Sequence, residues 1–491
     1  MEDKTIPINE TCSINAEDLK NEEKKLLQAF DPIMHKGILA SLKEQITKID
    51  FRKLADFTDD KEKLGRKHFL VSSIEQILIK AQENNWGICK SNAFIYLYNS
   101  AYWKLLEHAE LQIFLGEAAE KMGIDKFDAK LYSFRDQLYK QFLAVANLPK
   151  PEHPDDMVLI NLKNGTFEIR PSIQMLRPQN QNDFLTYQLP FEYNPKAKAP
   201  MFEAFLNKVQ PDIDRQNILS EFLAYLFIKT STLKLEKALL LYGTGANGKS
   251  VFFEIVNALL GGVENVSNFS LQSLTNENGY SRAMLVNKLL NYSSEINGKL
   301  EASIFKQLVS GEPVDARLPF GEPFTLTNYA KFIFNCNELP KDVEQTNAFF
   351  RRFLIVPFDV TIPEVEQDKQ LSQKIIKNEL SGVFNWVLSG LKRLLEQKNF
   401  TYSAAVANQL EKYKLQSDTV RLFLEEEGFE KTTSEYTEFK DLFNIYRTYC
   451  IESGYRSCSK KTFGERLRNA DYEVEKKCFG MIVYTKKLSF F

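Results

Sequence analysis

The stretch Gly243-Thr-Gly-Ala-Asn-Gly-Lys249-Ser250 decides the fold class of this chain. It fits the phosphate-binding pattern G-x-x-x-x-G-K-[ST], whose glycines allow backbone N–H groups to close around phosphate oxygens. The apolar run 238–242 precedes it and is typical of a buried strand. Residues 251–260 follow with the apolar spacing of an amphipathic helix. A strand, a glycine loop and a helix in this order predict a nucleotide-binding α/β fold.

The side chains of this loop suit a nucleoside triphosphate. Lys249 is expected to reach the β- and γ-phosphates, and Ser250 is expected to hold Mg²⁺. The N-terminus of the following helix adds its partial positive charge. The alternative is a glycine-rich turn with a surface lysine. The residues expected to contact ATP are Gly243, Thr244, Gly245, Ala246, Asn247, Gly248, Lys249, Ser250 and Val251.

Two polar side chains follow later predicted core strands, as an ATPase core requires. Glu295 comes after the predicted strand 288–294, and it is expected to polarise the attacking water and to share Mg²⁺ with Ser250. Asn337 comes after the run 330–336, where an amide can orient the water and sense the γ-phosphate. Each has a plain alternative: a surface glutamate at a strand end, and a turn-forming asparagine before Leu-Pro.

Two adjacent arginines, Arg351 and Arg352, lie between aromatic residues and the apolar run 353–358. Adjacent arginines are usually surface charges. This flanking sequence also fits an arginine finger offered to the ATP of a neighbouring subunit, and the sequence does not choose between the two. The catalytic candidates are Lys249, Glu295, Asn337, Arg351 and Arg352.

Together these motifs resemble those of the superfamily 3 helicases, in particular the phage, plasmid and poxvirus primase–helicase branch. The loop at 243–250 is similar to the Walker A motif of that branch, and Ser294-Glu295 to its Walker B end. Asn337 within Asn-Glu-Leu-Pro is similar to its sensor 1 motif, Arg351-Arg352 to its finger region, and residues 305–317 to its motif B′. The resemblance extends beyond these motifs but is weakest at the N-terminal end of the chain.

The resemblance implies a P-loop AAA+ ATPase core in a ring, usually a hexamer, with ATP and Mg²⁺ between subunits and DNA in the central channel. It also implies unwinding in the 3′-to-5′ direction. A hairpin before sensor 1 lines the channel in such rings, and Val314–Arg317 and Phe324–Leu326 are its expected strands here. Two interpretations are open for Phe320 at the tip: its ring stacks on a base, or it packs under the tip. The residues expected to contact DNA in the channel are Lys306, Arg317, Phe320 and Lys331.

The last segment of the chain has a local positive charge. From Gly454 to the end it contains nine Lys or Arg and four Asp or Glu, a net charge of +5. Three helical patterns followed by two short strands are typical of a winged helix. A basic face suits phosphate contact, and the alternative is a solvated surface on a small packing domain. The residues expected to contact DNA here are Lys460, Lys461, Arg466, Arg468, Lys476 and Lys477.

Helix breakers and changes of periodicity divide the chain into six expected segments. The proline-rich stretch 149–154 interrupts a helical pattern, and Asn164-Gly165 predicts a hairpin turn. Aromatic residues between 94 and 103 are expected to be core rather than a base-stacking platform. The segments are a mainly helical N-terminal domain (1–150), a strand-rich segment (151–200), a helical collar (201–236), the ATPase core (237–362), a helical lid (363–415) and the winged helix (416–491).

Composition limits the other classes of function. The net charge of −2 excludes a global basic field, so any nucleic-acid site must be a local patch. Six scattered cysteines without a C-x-x-C pair indicate free thiols in a reducing cytosol rather than a zinc site. No apolar run approaches the length that spans a bilayer, and the first residues are polar. A cytoplasmic location without a membrane partner, in a bacterium or an infected host cell, is therefore expected.

The sequence thus favours a replicative DNA helicase of a phage or mobile element, driven by ATP and acting as a homo-hexamer on single-stranded and forked DNA. A separate primase, a polymerase or a single-strand-binding protein is an expected partner. Residues 1–150 contain no zinc-ribbon cysteines and no Asp-x-Asp-type primase centre, so no priming activity is expected. The alternatives are an origin-binding initiator switched by ATP, and an ATPase of a defence or DNA-packaging system.

Overall fold

The computed structural model describes the chain in two compact units, Met1–Tyr193 and Asn194–Phe491. The described residues are 34–59, 61–91, 94–146, 154, 156–170, 173–294, 296, 300–319, 321–340 and 344–487. Two predicted site residues, Glu295 and Phe320, lie outside them. Within these ranges, no helix has both the length and the apolar character needed to cross a membrane.

The first unit contains six helices and two antiparallel sheets among its described residues. Its sheets have the strand orders β1-β2-β3 and β4-β5-β6. The elements are α1 (His35–Gln45), α2 (Phe51–Leu54), α3 (Arg66–Glu83), β1 (Gly87–Ser91), β2 (Phe94–Tyr98), β3 (Trp103–Leu106), α4 (His108–Met122), α5 (Lys126–Lys130), α6 (Tyr132–Val145), β4 (Val158–Leu162), β5 (Gly165–Arg170) and β6 (Ile173–Arg177).

Strands β1–β3 correct part of the helical prediction for the N-terminal region. β2 is Phe-Ile-Tyr-Leu-Tyr, a run of aromatic and β-branched residues that favours the extended conformation over a helix. It pairs with both neighbours, Tyr96 lying opposite Cys89 on β1 and Leu105 on β3. Tyr98 and Trp103 are almost completely buried, so the prediction that the aromatic residues form core is confirmed for them.

The strand-rich segment belongs to the same compact unit as the N-terminal helices. Buried Asn161 on β4 donates to the carbonyl oxygens of Ala101 (2.9 Å) and Tyr187 (3.0 Å). The indole N–H of Trp103 donates to the carbonyl of Gln181 at 2.9 Å. The predicted hairpin at Asn164-Gly165 is confirmed by the antiparallel pairing of β4 and β5.

The second unit contains a parallel sheet, flanking helices and a C-terminal region of helices and short strands. Its elements are α7 (Pro200–Val209), α8 (Ile213–Tyr225), β7 (Ala238–Tyr242), α9 (Lys249–Leu260), β8 (Val266–Ser267), α10 (Leu271–Leu274), α11 (Tyr280–Ala283), β9 (Leu290–Ser293), α12 (Ala302–Ser310), β10 (Val314–Arg317), β11 (Pro323–Leu326), β12 (Lys331–Cys336), α13 (Asn347–Phe350), β13 (Phe353–Pro357), α14 (Leu371–Asn378), α15 (Leu380–Gln397), α16 (Ala404–Gln416), α17 (Thr419–Glu426), β14 (Phe429–Lys431), β15 (Thr437–Glu438), α18 (Phe439–Glu452), α19 (Lys460–Asn469), β16 (Val474–Lys477), β17 (Gly480–Val483) and β18 (Thr485–Lys487).

The parallel sheet has the strand order β13-β7-β12-β9-β8. Strands β7 and β13 are continuous apolar runs because both faces of the sheet are buried there. β7 lies between β12 and β13. The connection that leaves β7 runs across the sheet toward β8, and the one that leaves the neighbouring β12 runs the opposite way to β13, so the connections reverse direction between β7 and β12. In open parallel sheets, ligands bind beyond the carboxyl ends of the strands at such a reversal. The loop after β7 therefore occupies the position that favours ligand binding.

A buried charge joins helices α8 and α15. Glu221 on α8 is fully buried and accepts from Arg393 on α15 at 3.0 Å. It also accepts from the backbone N–H of Thr401 at 2.8 Å and from its hydroxyl at 2.6 Å. Because a buried carboxylate is stable only when it is paired and hydrogen-bonded, this cluster holds the two helices in one alignment.

The C-terminal region has its own apolar core. Helices α17, α18 and α19 contribute Phe423, Tyr446 and Phe463, all of which are fully buried. The strands form the antiparallel sheet β15-β17-β16 and the separate pair β14-β18. The predicted order of three helices before a hairpin is thus observed, with β16 and β17 as the hairpin.

Candidate nucleotide-binding site

The glycine loop leaves β7 between the carboxyl ends of β12 and β13. The N–H of Gly243 donates to the carbonyl of Cys336 at 3.1 Å. The N–H of Phe358 donates to the carbonyl of Tyr242 at 2.7 Å. These two hydrogen bonds fix the start of the loop to the neighbouring strands, and the loop lies at the edge of the sheet where ligands bind.

The loop backbone adopts left-handed conformations at three positions. The φ angles are 117° at Gly245, 50° at Ala246 and 84° at Gly248. Gly248 also packs closely against helix α7, since a Cβ atom there would lie 2.7 Å from Cγ1 of Val209. The left-handed conformation at alanine is held by a hydrogen bond from the N–H of Ile362 to its carbonyl at 2.8 Å.

The side chains of the loop differ in their surroundings. Asn247 is buried and its amide donates to the carbonyl of Phe358 at 3.1 Å, so it braces the loop. Thr244 and Ala246 are exposed. A backbone curled through positive φ angles in front of a helix N-terminus can direct several N–H groups toward an anion.

Lys249 begins helix α9 and is buried, being 6% exposed. Its ammonium donates to the carbonyl of Gly243 and to the side-chain oxygen of Asn337, the latter at 3.4 Å. Burial lowers the pKa of Lys249, and the neighbouring Cys336 opposes this shift. The predicted phosphate lysine and the predicted sensor asparagine are therefore in direct contact at one end of the sheet.

The residues fit the Mg²⁺ that a phosphate loop uses. Ser250 is exposed in the first turn of α9, and its hydroxyl has no hydrogen-bond partner among the described residues. A hydroxyl oxygen is a suitable Mg²⁺ ligand. Glu295, the other predicted ligand, lies outside the described residues, and its role stays a prediction.

The paired arginines occupy different environments. Arg352 is 7% exposed and donates to the hydroxyl of Ser310 at 2.9 Å and to the carbonyl of Ala348. The side chain of Arg351 is 61% exposed and pairs with Glu236 at 2.7 Å. Arg352 is thus held inside its own protomer, whereas Arg351 lies at the surface.

Glu236 is a partner that the sequence did not indicate. It precedes β7 with a φ angle of 52°, and its carboxylate also contacts Lys234 at 3.2 Å. Burial raises the pKa of Glu236, but Lys234, Arg351 and Arg352 together lower it below its usual value. No residue pattern in the sequence predicts this contact, because Glu236 and Arg351 are 115 positions apart.

The predicted channel hairpin is present as the antiparallel pair β10–β11, from Val314 opposite Leu326 to Arg317 opposite Pro323. Arg317 is exposed, and its Nε donates to the carbonyl of Gly321 across the turn at 2.8 Å. DNA contact at Arg317 stays a prediction.

Two other predicted channel lysines are engaged within the protomer. Lys306 forms an ion pair with Glu344 at 2.9 Å. The ammonium of Lys331 is enclosed, donates to the carbonyl of Ile228 at 2.7 Å and lies 4.2 Å from the ring centroid of Tyr225. Burial lowers the pKa of Lys331 to about 7. This geometry disfavours Lys331 as a phosphate contact, since its ammonium faces protein groups.

The six predicted C-terminal contacts divide into two groups. Arg466 pairs with Asp418 at 3.3 Å, and Lys477 pairs with Glu475 at 2.6 Å, so both have intramolecular partners. The other four side chains are exposed: Lys460, Lys461, Arg468 and Lys476.

Comparisons with known proteins give two family matches. The family described as "D5 N terminal like" matches residues 7–211, and a family of unknown function (DUF5906) matches residues 241–352. The first match corrects the expectation that the N-terminal region is the least related part of the chain.

Two viral relatives have sequence similarity to this chain. "Putative helicase 121R" of Invertebrate iridescent virus 3 is 23% identical over 64% of this chain and 37% of its own length. "Putative helicase L207/L206" of Acanthamoeba polyphaga mimivirus is 21% identical over 52% of this chain and 27% of its own length. The chain thus spans well under half the length of these curated relatives.

Among solved structures, the apo structure of the NrS-1 C terminal region is similar to this chain. It has 15% sequence identity and a TM-score of 0.48, and the match covers 86% of this chain and 100% of that one. The family match over residues 7–211 and the two viral relatives, together with the motif order, support a likeness to the phage and viral primase–helicase branch.

Proposed function

We propose that this protein is an ATP-dependent DNA helicase of a phage or mobile element, built on a P-loop AAA+ core. The contact between Lys249 and Asn337 carries the proposal, because it brings the phosphate lysine and the sensor amide to one edge of the sheet. The names of the viral relatives support the same activity. ATP is the proposed substrate and Mg²⁺ the proposed cofactor.

Each residue of the site has a distinct proposed task. The loop backbone and Lys249 hold the triphosphate, and Ser250 supplies an oxygen ligand for Mg²⁺. Mg²⁺ held by Ser250 would supply positive charge that offsets the charge of the triphosphate. Asn337 orients the attacking water through its amide, and Glu295 accepts a proton from that water. These tasks require the groups to be fixed before substrate arrives, which the braced loop favours.

Arg351 is the proposed arginine finger. It is the exposed member of the pair and its guanidinium pairs with Glu236, whereas Arg352 makes buried contacts. An exposed guanidinium can reach the ATP of a neighbouring protomer and stabilise the charge that develops during phosphoryl transfer. A closed ring, with a hexamer as the family-based expectation, follows from a finger that acts between identical subunits.

The hairpin β10–β11 is the proposed DNA-tracking element, and movement of successive hairpins would draw one strand through the ring. Arg317 lies on it and is exposed, so it is the first proposed backbone contact. The C-terminal region is proposed to be a winged helix with a basic DNA-binding face. Unwinding in the 3′-to-5′ direction and cooperation with a separate primase or polymerase are part of the same proposal.

The test measures ATP turnover and unwinding of a forked duplex by the full chain. Wild type is expected to hydrolyse ATP and to separate the strands, and Lys249→Ala is expected to do neither while remaining folded. ATP-driven assembly without turnover or unwinding would instead indicate the origin-binding initiator. Turnover without unwinding would indicate an ATPase of a defence or packaging system, and unchanged turnover in Lys249→Ala would overturn the site assignment.

A further inference from the structure

A groove of about 640 Å³ crosses the C-terminal region between the start of α18, helix α19 and the hairpin β16–β17. Helix α19 has a glycine, Gly464, at the floor of the groove, so no side chain fills the groove at that position. A Cβ atom at Gly464 would lie 3.3 Å from the ring of Phe439, so any larger residue would narrow the groove. The groove is therefore a built feature of the fold and not a gap between loose side chains.

The walls of this groove are basic. Four cations line it, Lys440, Lys460, Lys461 and Arg468, against two carboxylates, Glu438 and Glu465. Within the described part of the chain, none of the four cations forms an ion pair, and Lys460 lies over the ring of Phe443 at 5.6 Å. Unpaired cations along a groove attract a polyanion.

Large apolar side chains are exposed at one end of the groove. Phe479, in the turn between β16 and β17, is 59% exposed, and Tyr436 is 54% exposed. Their ring centroids are 6.2 Å apart with the planes tilted by 34°. Met481, on the groove wall beside them, is 38% exposed. The apolar core of this region lies elsewhere, around Phe423 and its neighbours, so the exposed rings are not needed for packing.

We infer that this groove and the Tyr436–Phe479 ring pair form a binding site for single-stranded nucleic acid. An unpaired base stacks on Phe479 at the hairpin tip, and the phosphates that follow it lie along the four groove cations. Aromatic rings beside a basic groove are the combination that binds unpaired strands, since every base offers a π face. A duplex would use the same cations but offers no free base to the ring.

This inference rests on the proposed function and refines it. The C-terminal region would bind the unpaired arm of a fork rather than only the duplex backbone.

The test compares Phe479→Ala with wild type in the absence of ATP. Fluorescence anisotropy of the full chain is measured with a labelled single strand and with a duplex of the same length. The affinity for the single strand is expected to fall about 5- to 100-fold, the range that loss of one base–aromatic stack produces. The affinity for the duplex is expected to stay within about twofold. Phe479→Trp is expected to retain binding of the single strand.

A matched control is Tyr402→Ala, which removes another aromatic side chain of the second unit that is 77% exposed but lies outside the groove. It is expected to bind both substrates as wild type does. A single strand carrying 2-aminopurine gives a second readout, because stacking on Phe479 would change its fluorescence in wild type and not in Phe479→Ala.

Equal loss of single-strand and duplex binding in Phe479→Ala, or no loss of either, would overturn the inference. Since binding is measured without ATP, the result is separable from the proposed catalytic function. Phe479-dependent binding by a chain that never hydrolyses ATP would leave this site standing and remove the helicase proposal. Normal unwinding, together with wild-type single-strand affinity in Phe479→Ala, would remove this site and leave the helicase proposal standing.

Discussion

The ammonium of Lys249 donates to the side-chain oxygen of Asn337 at 3.4 Å, although the two residues are 88 positions apart. The parallel pairing of β7 with β12 produces this contact. Tyr242 and Cys336 are paired at the ends of the two strands, so the segments that follow them emerge at the same edge of the sheet. The predicted phosphate lysine and the predicted sensor asparagine thus meet at this edge of the sheet.

Replacing Asn337 separates nucleotide binding from turnover. Asn337→Ala is expected to lower kcat for ATP hydrolysis by about 10²-fold, because a positioned amide acts on the water in the transition state. The affinity for ATP should change little, since Lys249 and the loop backbone remain. Steady-state ATPase rates and titration with a fluorescent ATP analogue measure the two quantities. A large loss of ATP affinity with unchanged kcat would contradict the sensor role.

The two arginines are expected to fail in different ways. Arg351→Ala should lower ATP turnover by about 10³-fold, as loss of an arginine finger does. Its stability should change by less than about 1 kcal/mol, because the ion pair with Glu236 is at the surface. Arg352→Ala should cost about 3 kcal/mol in urea unfolding, since buried acceptors such as the hydroxyl of Ser310 lose their donor.

A mixing experiment tests whether Arg351 acts between subunits. Arg351→Ala protomers keep an intact phosphate loop, and Lys249→Ala protomers keep an intact finger. Mixed assemblies of the two inactive variants should therefore regain part of the ATPase activity at interfaces that combine the intact halves. No recovery at any mixing ratio, in assemblies shown to contain both variants, would rule out a finger acting in trans.

Two glycines of the loop offer a matched pair. Gly248 and Gly245 both have positive φ angles, but a Cβ atom at Gly248 would meet Val209, and one at Gly245 would meet nothing within 4 Å. Gly248→Ala should weaken ATP binding at least about tenfold, because it adds a steric clash to backbone strain of about 1 kcal/mol. Gly245→Ala should show only the strain. Isothermal titration with ATP compares them, and equal losses would discount the contact with Val209.

Stability is expected to depend on pH through Lys331. Burial lowers its pKa to about 7 in the folded state, whereas the unfolded chain keeps the ordinary lysine value of about 10.4. Between these values the unfolded state binds more protons than the folded state, so stability rises with pH, by about 1 kcal/mol per pH unit. Below pH 7 both states are protonated, and the full cost of the buried charge is present.

Urea unfolding at pH 7 and pH 9.5 measures this effect. Lys331→Met should lose most of the gain in stability between the two pH values, because the titrating group is gone. Lys412→Met, at an exposed lysine, is the control and should keep the slope of wild type. An unchanged slope in Lys331→Met would show that Lys331 titrates normally.

Some features of this chain were determined by the sequence itself. The strand, loop and helix around Lys249 were predicted because a continuous apolar run, glycines and a helical apolar spacing are local patterns. The turn at Asn164-Gly165 was predicted for the same reason, whereas the hairpin strands β10 and β11 were expected from the family resemblance. The aromatic strand β2 was missed, because a short apolar run does not distinguish strand from helix without its pairing partners.

Other features were decided only by the tertiary structure. In the sequence, Arg351 and Arg352 are equivalent neighbours. In the structure, Arg352 is buried against Ser310, and Arg351 lies beside Glu236 at the surface. Lys331 is a second example, because no local pattern in the sequence indicates that Tyr225 and Ile228 enclose its ammonium. Burial and charge pairing depend on residues distant in the chain, so they arise from the three-dimensional arrangement of elements and not from any local pattern.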